Sequence, residues 1–223
     1  YQRDYLYVPN QQGSDWPAMK TMYGALLPHA RHRADLTYLL DMMGGEIAIG
    51  HSYVRGGDLP DVPPTRGGLL GADTAVENGR YRFTRIFDGE SWNPELRAPL
   101  ATPGVEVAVG DYLLAVNGVE LRAVDNLHRL LDGTANRQTV LTVNAQPTVA
   151  GARQVTVVPV ANDQALRTRA WVEGNRRLVE KLSGGRLAYV YVPNTGQPGY
   201  VSFNRYYFAQ QDKAGAVIDE RYN

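Results

Sequence analysis

The side chain in this sequence best suited to acid–base chemistry is a histidine set among glycines, Gly50-His51-Ser52, inside the stretch Gly44–Asp58 (GGEIAIGHSYVRGGD). Imidazole is the side chain whose ordinary pKa lies closest to neutrality, which suits a general base. Glycine pairs on either side, Gly44-Gly45 and Gly56-Gly57, put it at an element boundary, where loops bring functional groups close to a ligand. On residue types alone the simpler account is a histidine packed beside a loop with both nitrogens satisfied. Other chemistries are easier to exclude. The chain has four histidines, no cysteine and no HExxH spacing. Disulfides, thiolate nucleophiles and thiolate metal sites are therefore ruled out, and no metal or cofactor is expected. His29 and His32 fall in the polar connection PHARHR and are expected at the surface. Ser52, Ser183 and Ser202 have no nucleophile setting: Ser183 reads as part of a helix stop and Ser202 as a helix start.

The charge balance sets the class of partner. With 23 basic and 23 acidic residues there is no global field to attract nucleic acid or an anionic membrane, so no nucleic-acid partner is expected. No apolar run is long enough to span a bilayer. The opening residues, YQRDYLYVPN, lack the pattern of a signal peptide.

The fold is expected to be α+β and multidomain, beginning with a small helical segment over residues 1–60 that carries His51. Asp15 caps a helix with Pro17 in its first turn, and Met19, Met22, Tyr23, Leu26 and Leu27 recur at helical spacing as a buried stripe. A second helix, from about Arg33 to Met43, would bury Leu36, Leu39, Leu40 and Met43 before stopping at Gly44-Gly45. The proline-rich LPDVPPT that follows is a stiff linker.

Residues 61–160 differ in kind. Tyr81, Phe83, Arg85 and Phe87 alternate as in a strand after an Asn78-Gly79 turn, and Asn117-Gly118 forms another hairpin. Val124, Leu127, Leu130 and Leu131 mark a short helix, and Thr139–Val143 with Gln154–Val160 a closing hairpin. The run GDYLLAVNG (Gly110–Gly118), with a short helix at the expected distance, resembles a PDZ domain, a β-barrel or sandwich. The resemblance implies that an extended peptide adds to a sheet edge while a glycine-rich loop holds its carboxylate. Gly68, Leu69, Leu70 and Gly71 match that loop, and His128 would lie near the groove. The alternative is a groove closed by the chain itself, leaving the module a spacer.

Residues 161–223 read as an incomplete β-α-β unit. An arginine-rich helix, Leu166–Leu182, with Trp171, Val172, Leu178 and Val179 as apolar positions, ends at Ser183-Gly184-Gly185. The strand Leu187–Pro193, a loop Asn194–Gly199, a helix bearing Phe203, Tyr206, Tyr207 and Phe208, and the strand Ala214–Asp219 follow. Near-continuous apolar strands imply parallel pairing with both faces covered.

Taken in order, these parts resemble the tricorn branch of the S41 serine peptidases along essentially the whole chain. The matching motifs include Val8-Pro9-Asn10, Asp15-Trp16, Gly45-Glu46, His51–Val54, Gly56–Asp58, Leu69–Asp73, Pro99-Leu100 and Pro103–Val105. Later ones are Trp171-Val172, Arg176-Arg177, Leu182–Arg186, Tyr191–Pro193, Phe203–Arg205, Asp219, Arg221 and Asn223. The resemblance implies that His51 is the general base for a serine supplied by the later α/β domain. Where the best-known members place a serine before this histidine, the chain has Gly50, and Ser52 follows it. It further implies an oxyanion-hole glycine run after Asn223, with the nucleophile and its acidic partner beyond it. The expected parent is a serine endopeptidase acting on peptide substrates. It would be a homo-oligomer with propeller domains upstream, cytoplasmic or alternatively periplasmic or exported. The chain would then be a central piece, silent without the remainder of the parent. The rival expectation is a non-enzymatic PDZ-type peptide-binding adaptor.

Overall fold

A computed structural model of the protein describes residues 10–90 and 92–222. Val8, Pro9 and Asn223 of the motifs above lie outside the described residues. The chain divides into two compact units, one ending at Pro64 and the other beginning at Thr65.

The first unit holds two helices, α1 (Trp16–Gly24) and α2 (Arg33–Gly45). Asp15 caps α1 by accepting from Ala18 N–H at 3.1 Å, with Pro17 in the first turn. His32 and Asp35 form a capping box on α2, so this surface histidine has a structural role at a helix start. The apolar stripes are only partly covered. Tyr23 is buried, but Met22, Leu26, Leu27 and Leu40 are exposed, because α1 stops at Gly24 and a unit of two short helices has no second layer to bury them.

The second unit is built around an antiparallel sheet ordered β1 (Ala72–Glu77), β2 (Arg80–Ile86), β3 (Tyr112–Val116), β5 (Thr139–Asn144), β6 (Arg153–Val157), with β4 (Val119–Glu120) on β3. Both hairpin turns read from sequence carry positive φ at successive residues, Asn78-Gly79 and Asn117-Gly118, as their twist requires. The core is Leu70, Phe83, Leu113, Leu121, Leu141 and Val143, closed by Leu127 of the short helix α3 (Leu127–Leu130) and by Leu131 just past its end. Val124 was expected on the inner face of that helix and is instead 91% exposed. Asn126 caps the helix through His128 N–H at 2.9 Å, so helical geometry begins only after Val124. Asp111 is buried, accepts from Ala108 N–H and pairs with Arg153, which ties the β3 entry to β6.

The helix α4 (Gln164–Ser183) joins this sheet to the last segment. Leu166 is packed with Phe87 and Ala98, while Arg169 pairs with Glu90 at 3.3 Å. Leu178 was expected to be apolar cover and is exposed. Strands β7 (Leu187–Tyr191) and β8 (Gly215–Asp219) pair in parallel through α5 (Gln197–Phe208). The loop before α5 is shorter than the sequence suggested. Asn194 accepts from Gly196 and Gly199 N–H, Pro198 opens the helix, and Ser202 lies inside it, donating to Tyr191 C=O at 2.6 Å. Strand β7 is buried from Ala188 to Tyr191, whereas β8 is exposed from Gly215 to Ile218 and buried only at Asp219, so the cover expected on both faces is present at β7 and not at β8 among the described residues.

Leu113 has no exposed surface and Val124 almost no contact, so the two should respond differently to truncation. Leu113→Ala is expected to lower unfolding free energy by about 2–5 kcal/mol. Val124→Ala should change it by less than about 0.5 kcal/mol, both read from urea unfolding.

Candidate functional site

His51 lies past the end of α2 in a loop held to that helix by Val54 N–H donating to Asp41 Oδ1 at 3.2 Å. Ile47 is buried and anchors the start of the loop. His51 itself has φ 63°, a left-handed conformation uncommon for a residue with a side chain and frequent at functional positions. It is exposed. Tyr53 Oη stands 3.3 Å from His51 Nδ1, with the two rings edge to face, and Arg55 lies over the Tyr53 ring. The imidazole is therefore not packed with both nitrogens satisfied. One nitrogen has a phenol partner, and the ring faces solvent.

The other predicted site residues lie in the second unit. Leu69, Leu70 and His128 line one cavity of about 240 Å³, with Phe83, Leu127 and Leu131 as its apolar floor. Gly68 and Gly71 do not line it. A Cβ on Gly68 would collide with Thr134 and Pro159, and Gly71 adopts φ 65° with Leu166 3.0 Å from where its Cβ would be, so both glycines shape the loop. The loop is partly engaged by the chain: Gly68 N–H donates to Leu131 C=O and Leu69 N–H to Val160 C=O, both at 2.8 Å. The N–H groups of Leu70 and Gly71 have no backbone partner among the described residues. The cavity also receives Asp73, Asp163 and Arg167, which the sequence reading did not single out. Asp163 and Arg167 are four apart on a helix and legible as a pair; the approach of Asp73 depends on the tertiary fold.

A larger cavity of about 530 Å³ between residues 96–105 and β6 has Arg97 as its one charged lining side chain and no acid–base pair. Among the described residues no group of three His, Asp or Glu could hold a metal ion, and no helix is long and apolar enough to cross a membrane.

The motif residues Asp219, which is buried, and Arg221, which is exposed, form a lock at the end of β8. Asp219 accepts from Tyr189 Oη at 2.6 Å and from Arg221 Nε and NH2 at 2.9 and 2.6 Å, and Arg221 stacks on Trp171. Asn175 of α4 donates to Tyr189 Oη, so helix and both strands meet there. Arg221 holds the Asp219 carboxyl far below the ordinary carboxylate range, while burial and the Asp219 charge push Tyr189 up to about 12.

The family model described as the tricorn protease PDZ domain matches residues 68–162, and that of the tricorn protease C1 domain matches residues 1–45. The chain has the sequence and fold of a tricorn-like protease fragment. It is 37% identical over 225 residues to "Tricorn protease homolog 1" of Streptomyces coelicolor, covering 99% of this chain and 21% of that protein. It is 28% identical over 201 residues to "Tricorn protease" of Thermoplasma volcanium, covering 90% and 19%. A crystal structure of the tricorn protease superposes with a TM-score of 0.73 at 24% identity, covering 94% of this chain and 21% of that one, and shows a shared fold. The chain thus spans about a fifth of the length of the tricorn relatives it matches.

The Asp219 lock yields a pH prediction. The folded carboxyl ionises more readily than the unfolded one, whose pKa is about 3.9. Its contribution is present above that value and is lost as pH falls towards the lower folded one. Asp219→Asn should cost about 1–3 kcal/mol at pH 7. The gap to the parent sequence should narrow at pH 3 in urea unfolding; an equal gap at both pH values would count against the ionised lock.

Proposed function

We propose that this chain is a central segment of a serine endopeptidase that hydrolyses peptides, in which His51 is the general base for a serine outside the chain. The observation that carries the reading is the exposed His51 imidazole, held in a left-handed loop with Nδ1 facing Tyr53 Oη. A base acting through Nε2 needs its proton on Nδ1, and the phenol oxygen is positioned to accept it. An imidazole fixed in that tautomer can take a serine proton at Nε2 in the transition state and return it to the leaving amine. The family resemblance supplies the reaction class.

Gly50 before His51 leaves the imidazole without an adjacent hydroxyl on that side. In this reading Tyr53 takes over part of the orienting role. In the full-length protein His51→Ala is expected to lower kcat by about 10⁴-fold or more. Tyr53→Phe should lower it far less. The isolated 223-residue chain should neither cleave fluorogenic peptides nor be labelled by a serine-directed phosphonate. Labelling of the isolated chain would contradict the placement of the nucleophile elsewhere.

A second reading has its own support. The cavity between β1 and α3, with two N–H groups of its loop lacking backbone partners, suits the end of an extended peptide added along the β1 edge. Its apolar floor favours an apolar terminal side chain. Saturable binding of carboxyl-terminal peptides, read by fluorescence anisotropy, would support this groove either as a feeding site of the peptidase or as the basis of an adaptor.

A further inference from the structure

Resting on the reading of this cavity as a peptide groove, we infer that Arg167 is its carboxylate receptor, supplied from outside the PDZ-like domain. The matched domain ends at residue 162, and Arg167 lies on α4 beyond it. Its guanidinium is fixed on three sides. Asp163 accepts from Nε and NH2, each at 3.0 Å, and Phe87 lies beneath at 4.6 Å from Cζ to the ring centroid. Asp163 is buried, so this part of the arrangement is firm. The remaining arm, NH1, reaches Asp73 Oδ1 at 2.6 Å. That partner is different in kind. The Asp73 side chain is 42% exposed, and an ion pair so open to water contributes little net stability.

Asp73 also stands at the start of the edge strand, where the β1–β2 register shifts between Asp73 and Thr74. Such an irregularity re-aims side chains at a sheet edge. The geometry therefore presents a pre-oriented guanidinium whose outward arm is occupied by an exchangeable carboxylate. It lines the same cavity as Leu70, whose N–H, like that of the adjacent Gly71, has no backbone partner among the described residues. A peptide C-terminus entering the groove would displace Asp73, take NH1 in a charge-assisted hydrogen bond and accept from the two N–H groups. Asp73 would return to water at low cost. Arg167 retains Asp163 and Phe87 throughout, so little ordering is needed when the ligand arrives.

The test uses the whole 223-residue chain and fluorescein-labelled hexapeptides ending in Val, Leu or Phe, as free acids and as C-terminal amides. Fluorescence anisotropy gives the affinities. The acids should bind at least about tenfold more tightly than the amides, a difference typical of one charge-assisted contact. Arg167→Gln should bring acid affinity down to that of the amide. Asp73→Asn, which removes the competing carboxylate, should tighten acid binding several-fold and leave the amide unchanged. Circular dichroism and the thermal midpoint check that each variant is folded. Acids that bind with an acid-to-amide ratio unaffected by Arg167→Gln would overturn the role of Arg167 while leaving the groove intact. Absence of saturable binding by any peptide would overturn the groove and this inference together. Should Arg167→Gln fail to fold, Asp73→Asn decides: unchanged or weakened acid binding overturns the inference.

Discussion

Leu166 is the point on which the second unit depends. It is 1% exposed, sits against Phe87 and Ala98, and belongs to a helix that continues into the β-α-β segment. Full burial of a leucine contributes about 1.5–3 kcal/mol, more than the half-exposed ion pairs around it. Those ion pairs set direction. Arg167 points to Asp73 and Asp163, and Arg169, two residues further along, points to Glu90, which Arg205 of α5 also approaches at 3.6 Å. The apolar contact supplies stability, and the arginines fix the angle at which α4 leaves the PDZ-like sheet. Gly71 is needed for the same contact, since its positive φ and missing side chain let the loop pass beside Leu166.

The same helix carries that geometry onward. Asn175 lies on α4 and donates to Tyr189, whose hydroxyl meets Asp219 at the end of β8. A single helix thus borders the cavity lined by Leu70 and His128 near its start and reaches the Asp219 carboxylate lock from its middle. The lock is expensive to disturb because Asp219 is buried and its oxygens are satisfied by Tyr189 and Arg221. The groove end is the opposite: its outermost ion pair is solvated and readily exchanged.

His51 follows another logic. Its loop is pinned by Ile47 and by the Asp41–Val54 contact, while the imidazole is left open with one phenol neighbour. A packing histidine would be enclosed and doubly satisfied, and this one is neither. The left-handed backbone at a residue with a Cβ is mildly strained, a cost seen where a side chain must be presented in one direction.

Local patterns were legible in the sequence wherever local physics decides. Asn78-Gly79 and Asn117-Gly118 specify their turns because only such residues accept two successive positive φ values. Asp15 and the alternation along β5 announce a cap and a strand buried mainly on one face for equally local reasons. The order of these parts also carried the family resemblance and singled out His51. Burial was less legible. Val124, Leu178 and Met22 have the spacing of core residues and lie in water, because periodicity shows which positions share a face but not whether anything covers it. Nor could the sequence bring Asp73 to Arg167, 94 positions apart, or Tyr189 to Asp219 across two strands. The sequence by itself determined the turns, the caps, the strand alternation and the candidate base. Only the tertiary structure decided which faces are buried and which charges meet, since those depend on distances between elements that no local pattern encodes.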